Sequence, residues 1–170
     1  MAQHLVMVAL GPVQDFIAQA RRTRDLWFGS ALLSELSGAA AKAAPGGGAR
    51  LVFPATLDQP GIANKIVATV DERSDDAVAT LVTDARKAAL DAWREKARRT
   101  KNECAGLIRQ GPGADALWEE QVESFLEFNA VWCDVGVAGG YAAALHELDR
   151  SLAARKGLRE FARWETQLPG

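Results

Sequence analysis

Residues His4 to Leu10 (HLVMVAL) form a short apolar run with β-branched members, and Gly11 and Pro12 close it at once. That is the pattern of a strand that stops and a helix that carries proline in its first turn. Val13, Phe16, Ile17 and Ala20 fall at helical spacing up to about Arg22. After a break near Thr23, Leu26, Leu32, Leu33, Leu36 and Ala40 continue a second helical pattern to Ala44, and Pro45 with three glycines ends it. Arg50 to Phe53 and Lys65 to Val70 are β-rich runs joined by PATLDQPGIAN, whose prolines and glycine predict a hairpin with a long loop. Ser74 caps a further helix, with Asp75 and Asp76 in its first turn and Arg94, Lys96, Arg98, Arg99 and Lys101 late, an order that opposes the helix macrodipole. Its buried stripe is Val78, Leu81, Val82, Ala85, Ala89 and Trp93.

Beyond Gly111, Pro112 and Gly113, residues 114–128 read as an acidic helix with Leu117, Trp118, Val122, Phe125 and Leu126 on its apolar side. Residues 130–137 (AVWCDVGV) read as a fourth strand, and Tyr141 to about Trp164 as a last helix interrupted at Gly157. With the acidic helix set aside as an insertion, the order is strand, helix, two strands, helix, strand. This predicts the α+β class and a ferredoxin-like βαββαβ palm, an antiparallel four-stranded sheet with helices on one face and additional helices. Residues 1–137 form the palm on this reading, and residues 138–170 form a C-terminal helical extension.

Composition sets limits on function. No apolar run reaches the roughly eighteen residues a bilayer crossing needs, and the first residues lack the basic region and cleavage site of a secretory signal, so the chain is read as cytoplasmic. Cys104 and Cys133 cannot make a disulfide framework, and with His4 and His146 they have no zinc-ligand spacing. The net charge is −2, but residues 1–110 hold 15 Lys and Arg against 12 Asp and Glu, whereas residues 111–170 hold 5 against 10. An anion-binding surface therefore belongs in the first two thirds.

Palms that join nucleotides hold metal-binding acids at the end of the first strand and in the hairpin turn, because paired Mg²⁺ ions clamp attacking and leaving oxygens. Here the first strand has no acid and the hairpin loop offers only Asp58. No catalytic or metal-ligating residue is assigned within the chain. The Gly11–Pro12 junction, with Gln14 and Asp15 in the following turn, presents free backbone N–H groups; it serves either as a structural turn or as a ligand contact. Arg21, Arg22 and Arg24, followed by Gly29 and Ser30, bring cations and a small hydroxyl into one stretch suited to phosphate. Gly29 inside a helical pattern costs about 1 kcal/mol against alanine, which calls for close approach of either another helix or a ligand. Residues 94–101 are read as a solvated face, Asp134 as a strand-edge acid, and both cysteines as core residues.

The stretch GPVQDFIAQARRTRDLWFGSALLS (Gly11 to Ser34) resembles the opening of the large palm-domain subunit of type III-B CRISPR effector complexes. Phe53 to Ala55 (FPA) and Ala63 to Ile66 (ANKI) resemble that family's hairpin signature. Leu158 to Trp164 (LREFARW) resembles the segment just before its zinc-binding and second-palm regions. The resemblance implies the first of two ferredoxin-like palms in a subunit that makes cyclic oligoadenylate from ATP in antiviral defence when target RNA is bound. ATP is then the substrate, Mg²⁺ serves the parent protein, and the metal-binding acids sit in a Gly-Gly-Asp-Asp turn of the second palm. This chain has no such turn, no zinc cysteines and no His-Asp nuclease-type domain, so the fragment alone is expected to be inactive. By resemblance, Gly11, Pro12 and Gln14 match the turn at the inter-palm cleft. Gly29 and Ser30 match the pair facing the nucleotide, and Asn64 and Lys65 shape the same region. The implied partners are the second palm of the same protein, other effector subunits, and guide and target RNA. The alternative is a non-enzymatic scaffold that docks subunits and guide RNA without binding nucleotide. A face meant for a second palm would also allow a homodimer of the fragment.

Overall fold

A computed structural model describes residues 3–44, 48–58, 61–71, 74–108 and 111–157. The elements are β1 (Gln3–Gly11), α1 (Val13–Gln19), α2 (Thr23–Ala43), β2 (Ala49–Phe53), β3 (Lys65–Asp71), α3 (Asp75–Glu103), α4 (Pro112–Phe125), β4 (Glu127–Asp134) and α5 (Tyr141–Gly157). The sheet order is β2-β3-β1-β4, and all three pairings are antiparallel. This is the α+β, ferredoxin-like arrangement expected from the order of patterns.

β1 is apolar without alternation because both of its faces are covered. Val6, Val8 and Leu10 join one core layer with Leu32, Leu36 and Ala40 of α2 and Val78, Leu81 and Ala85 of α3. Leu5, Met7 and Ala9 join a second layer with Val67 and with Ala144, Leu148 and Leu152 of α5. α2 and α3 are thus the palm's own helices, and α5 is an additional helix laid on the opposite face of the sheet. Successive side chains of a strand point to opposite faces, so each residue of β1 has its layer fixed by its parity.

α3 starts as expected: the Ser74 hydroxyl accepts from the Ala77 N–H at 3.3 Å. Val78, Leu81, Ala85, Ala89 and Ala97 make its buried stripe, while Val82 and Trp93 are half-buried beside it. The late basic run is a paired face, solvated at Arg94, Arg98 and Arg99 as expected but largely covered at Lys96 and Lys101. Arg98 bonds Glu95 at 2.7 Å, Arg94 bonds Glu123 at 2.6 Å, Lys96 meets Glu35 of α2, and Arg99 stands 3.7 Å from Glu103. Exposed pairs of this kind contribute up to about 1 kcal/mol each.

Two elements differ in their bounds from the sequence reading. The acidic helix runs Pro112–Phe125 rather than 114–128, and the fourth strand runs Glu127–Asp134 rather than 130–137. Cross-strand pairing decides where the helix ends and the strand begins: Glu127 pairs with Gly11 and Phe128 with Leu10. Residues beyond Asp134 turn instead, and the Asp134 carboxylate accepts the Val137 N–H at 2.9 Å. Among the described residues, α4 has none fully buried. It is held to α3 by Trp93, whose Nε1 donates to the Val122 carbonyl at 2.8 Å and whose ring stacks on Phe125 at 4.6 Å. The continuation of the last helix toward Trp164 lies outside the described residues. Both cysteines are free and half-buried.

Candidate nucleotide-facing cleft

The turn between α1 and α2 is built by Asp25. Its carboxylate accepts the backbone N–H groups of Arg21 at 3.2 Å and Arg22 at 3.0 Å, satisfying donors that the start of α2 leaves open. This folds α1 back against α2, and the end of the β2–β3 loop closes the third side. Between them lies a cavity of about 320 Å³, walled by Val13 and Ile17 of α1, by Leu26, Gly29, Ser30, Leu33 and Ser34 of α2, and by residues 61–64 of the loop.

The loop is fixed by Asn64. β1 and β3 are in register as far as Ala9 and Lys65. Asn64 extends the pairing by one step: its carbonyl accepts the Leu10 N–H at 2.8 Å, and its side-chain amide donates to the Leu10 carbonyl at 3.0 Å. Gly61 adopts φ of 85°, a left-handed conformation that glycine reaches without steric cost. A Cβ on Gly38 of α2 would come within 3.2 Å of Ile62 Cδ1, so Gly38 lets the loop lie close on the helix.

Of the residues singled out from sequence, Gly29, Ser30 and Asn64 meet in this cavity. Gly29 is buried and Ser30 is exposed. Gly11, Pro12 and Gln14 lie at the adjoining strand end without lining the cavity; Val13 from the same turn does. Gly11 has a local reason to be glycine: a Cβ there would meet the Glu127 side chain, with Oε2 at 2.8 Å, across the β1–β4 pair. Lys65 points to the other face of the sheet, where its Nζ lies 2.5 Å from Asp149 of α5. Parity explains the separation, because Ile66 belongs to the α2–α3 layer. Asp58 is exposed and accepts the Thr56 hydroxyl at 3.0 Å.

The apolar part of the wall escaped sequence reading, in which Leu26 and Leu33 counted as ordinary core. The signal that marks it is the face Leu26, Gly29, Ser30, Leu33, spaced i, i+3, i+4, i+7, with small residues in its middle. Leu26 stays 43% exposed and Ile17 of α1 54% exposed, whereas Gly29 and Leu33 are buried, so the wall is open at its Leu26 end. None of the residues lining the cavity carries a charge. Among the described residues, no group of three His, Cys, Asp or Glu is placed to hold a metal ion. The arrangement can hold a flat apolar or weakly polar group and offer it a hydroxyl and an amide; it cannot clamp a metal. A second, wider cavity of about 610 Å³ lies between the start of α4 and Ile108, and none of the candidate site residues lines it.

A family model described as CRISPR-associated protein Cmr2, N-terminal, matches residues 5–109. No curated protein matches the chain. The matched span begins in β1, ends beyond α3, and takes in the whole lining of the cleft. α4, β4 and α5 lie outside it, although β4 completes the sheet that the matched part begins. On more than half of its length the chain follows that pattern, and it belongs to the Cmr2 family of type III-B CRISPR large subunits, as their N-terminal portion.

Proposed function

We propose that the cleft between α1, α2 and the β2–β3 loop is one wall of an ATP site used for cyclic oligoadenylate synthesis, the other wall being a second palm. The observation that carries this reading is the meeting of Gly29, Ser30 and Asn64 in one uncharged cavity. Nucleotide-sized sites commonly span about 300–1,000 Å³, so a space of about 320 Å³ suits a base and ribose better than a whole triphosphate. The phosphates would then run out of the cleft toward acids and Mg²⁺ held by another domain. The residues described in this chain do not fit a metal site, and no chemical step is assigned to them. Their part is to bind and orient: the apolar wall takes the base, and the Ser30 hydroxyl and Asn64 amide offer polar contacts.

The half-exposed Ile17 and Leu26 favour a wall that is completed by another surface. The scaffold reading shares that feature and differs in one outcome. In the assembled effector with target RNA and ATP, Ser30→Phe fills the cleft from an exposed position and should abolish oligoadenylate output while the complex still assembles. Ser30→Ala should lower output by less. Undiminished output from Ser30→Phe would leave only the scaffold reading.

A further inference from the structure

Three serines of α2 stand on the face that the cleft uses. Ser30, Ser34 and Ser37 are spaced i, i+4 and i+7, which sets them in one row along the helix. Ser30 and Ser34 line the cavity, and Ser37 is wholly buried one turn beyond. A hydroxyl inside a helix commonly bonds back to the carbonyl four residues earlier, and on the other helices of this chain it does. Thr80 donates to the Asp76 carbonyl at 2.9 Å, Thr83 to the Ala79 carbonyl at 2.8 Å and Ser124 to the Glu120 carbonyl at 2.8 Å. Among the described residues, the hydroxyls of Ser30, Ser34 and Ser37 have no such partner. The row is therefore polar and free along a helix whose other buried positions are almost all apolar or glycine.

The row runs inward from the mouth of the cleft. Leu26, 43% exposed, stands at the open end. At the other end the loop closes on α2, because Ile62 both lines the cavity and lies 3.2 Å from where a Cβ on Gly38 would stand. Ser30 is exposed and Ser34 half-buried, so Ser34 is the deeper of the two. At a rise of about 1.5 Å per residue, Leu26 and Ser34 are about 12 Å apart along the helix. A nucleotide whose phosphates leave by the mouth enters this space base first. Its ribose then lies level with Ser30 and the edge of its base with Ser34, while Leu33 and Ile62 supply apolar contact beside the ring. The edge of adenine carries an exocyclic amine, which is a donor, and a half-buried hydroxyl without a protein partner is an acceptor for it.

We propose that Ser34 is a specificity-determining residue of the cleft, its hydroxyl accepting from the 6-amino group of the adenine base; this rests on the ATP reading above. The test uses the assembled effector with target RNA, with Ca²⁺ replacing Mg²⁺ to hold back turnover. Equilibrium dialysis compares ATP, purine riboside triphosphate, which lacks the 6-amino group, and 2′-deoxyATP. ATP should bind the parent about 3- to 10-fold more tightly than purine riboside triphosphate, the worth of one hydrogen bond. Ser34→Ala should weaken ATP and 2′-deoxyATP by that same factor and leave purine riboside triphosphate unchanged, so the preference for the amine disappears. The substitution removes no bond within the protein, so the variant should assemble as the parent does. A merely structural role would weaken all three nucleotides alike. Equal losses for all three, an unchanged preference for the amine in Ser34→Ala, or a loss for ATP that 2′-deoxyATP does not share overturns the assignment. Ser30→Phe distinguishes this from failure of the ATP reading. ATP binding left intact by Ser30→Phe would overturn both, whereas binding blocked by Ser30→Phe, with the preference unchanged in Ser34→Ala, would overturn the Ser34 contact alone.

Discussion

Replacing Asn64 with alanine removes the amide that donates to the Leu10 carbonyl at 3.0 Å and leaves that acceptor partly buried without this donor. Loss of one partner from a buried pair costs about 1–2 kcal/mol, more than the net worth of the bond, because the remaining group has lost water and gained nothing. For a chain of this size that lowers Tm by about 2–8 °C. The backbone bond from Leu10 N–H to the Asn64 carbonyl survives, so the loop should loosen without detaching. Asn64→Asp sharpens the test. At neutral pH it sets a carboxylate against a carbonyl oxygen, so it should be less stable than Asn64→Ala. That contact raises the carboxyl pKa in the folded state above its unfolded value of about 3.9. Protonation restores a donor, so the aspartate variant should recover relative to the alanine variant as pH falls through the raised folded pKa, completing the gain near the unfolded value of about 3.9, and lose ground as pH rises. Thermal melts of the three proteins between pH 3.5 and 7.5 check this. A Tm for Asn64→Ala within about 1 °C of the parent, or equal stability of both variants at pH 7, would refute the role given to this bond.

Two further outcomes follow from the geometry. Trp93→Leu removes the bond to the Val122 carbonyl and the stack on Phe125, together about 1–3 kcal/mol, and should speed amide hydrogen exchange across residues 112–125 while β1 stays protected. The Val137 N–H bonded to Asp134, opposed by burial and aided by the Gly136 N–H and His4, holds the Asp134 carboxyl below its ordinary range. A depressed folded pKa gives stability that is present above the unfolded value and is lost as pH falls through the folded one. Asp134→Asn should therefore be less stable than the parent at pH 7 and converge with it in acid, as read by urea denaturation at pH 7 and pH 3.

Much of the palm is legible because its signals are local. The apolar run closed by Gly11 and Pro12, the Ser74 cap and the paired β-runs each specify an element without reference to the rest. The start of β4 is set by a distant partner instead. Glu127, Phe128 and Asn129 read as the tail of a helix until pairing with Gly11, Leu10 and Ala9 claims them. The placement of α5 across the sheet is likewise a tertiary outcome, decided by the apolar surface of Leu5, Met7 and Val67. At the cleft, Gly29 and Ser30 stood out because glycine is costly inside a helix, and Asn64 through resemblance. Lys65 followed Asn64 in sequence but not in space, since one step along a strand reverses the face. The apolar wall was hidden because a half-open helix face and a core stripe share the same spacing.

Hydrogen exchange of the assembled effector, with and without ATP and Mg²⁺, tests the shared cleft most directly. Slower exchange over residues 26–34 and 61–64 on ATP addition, abolished by Ser30→Phe, is the predicted result. ATP protection that leaves both segments unchanged, or that persists in Ser30→Phe, would contradict it.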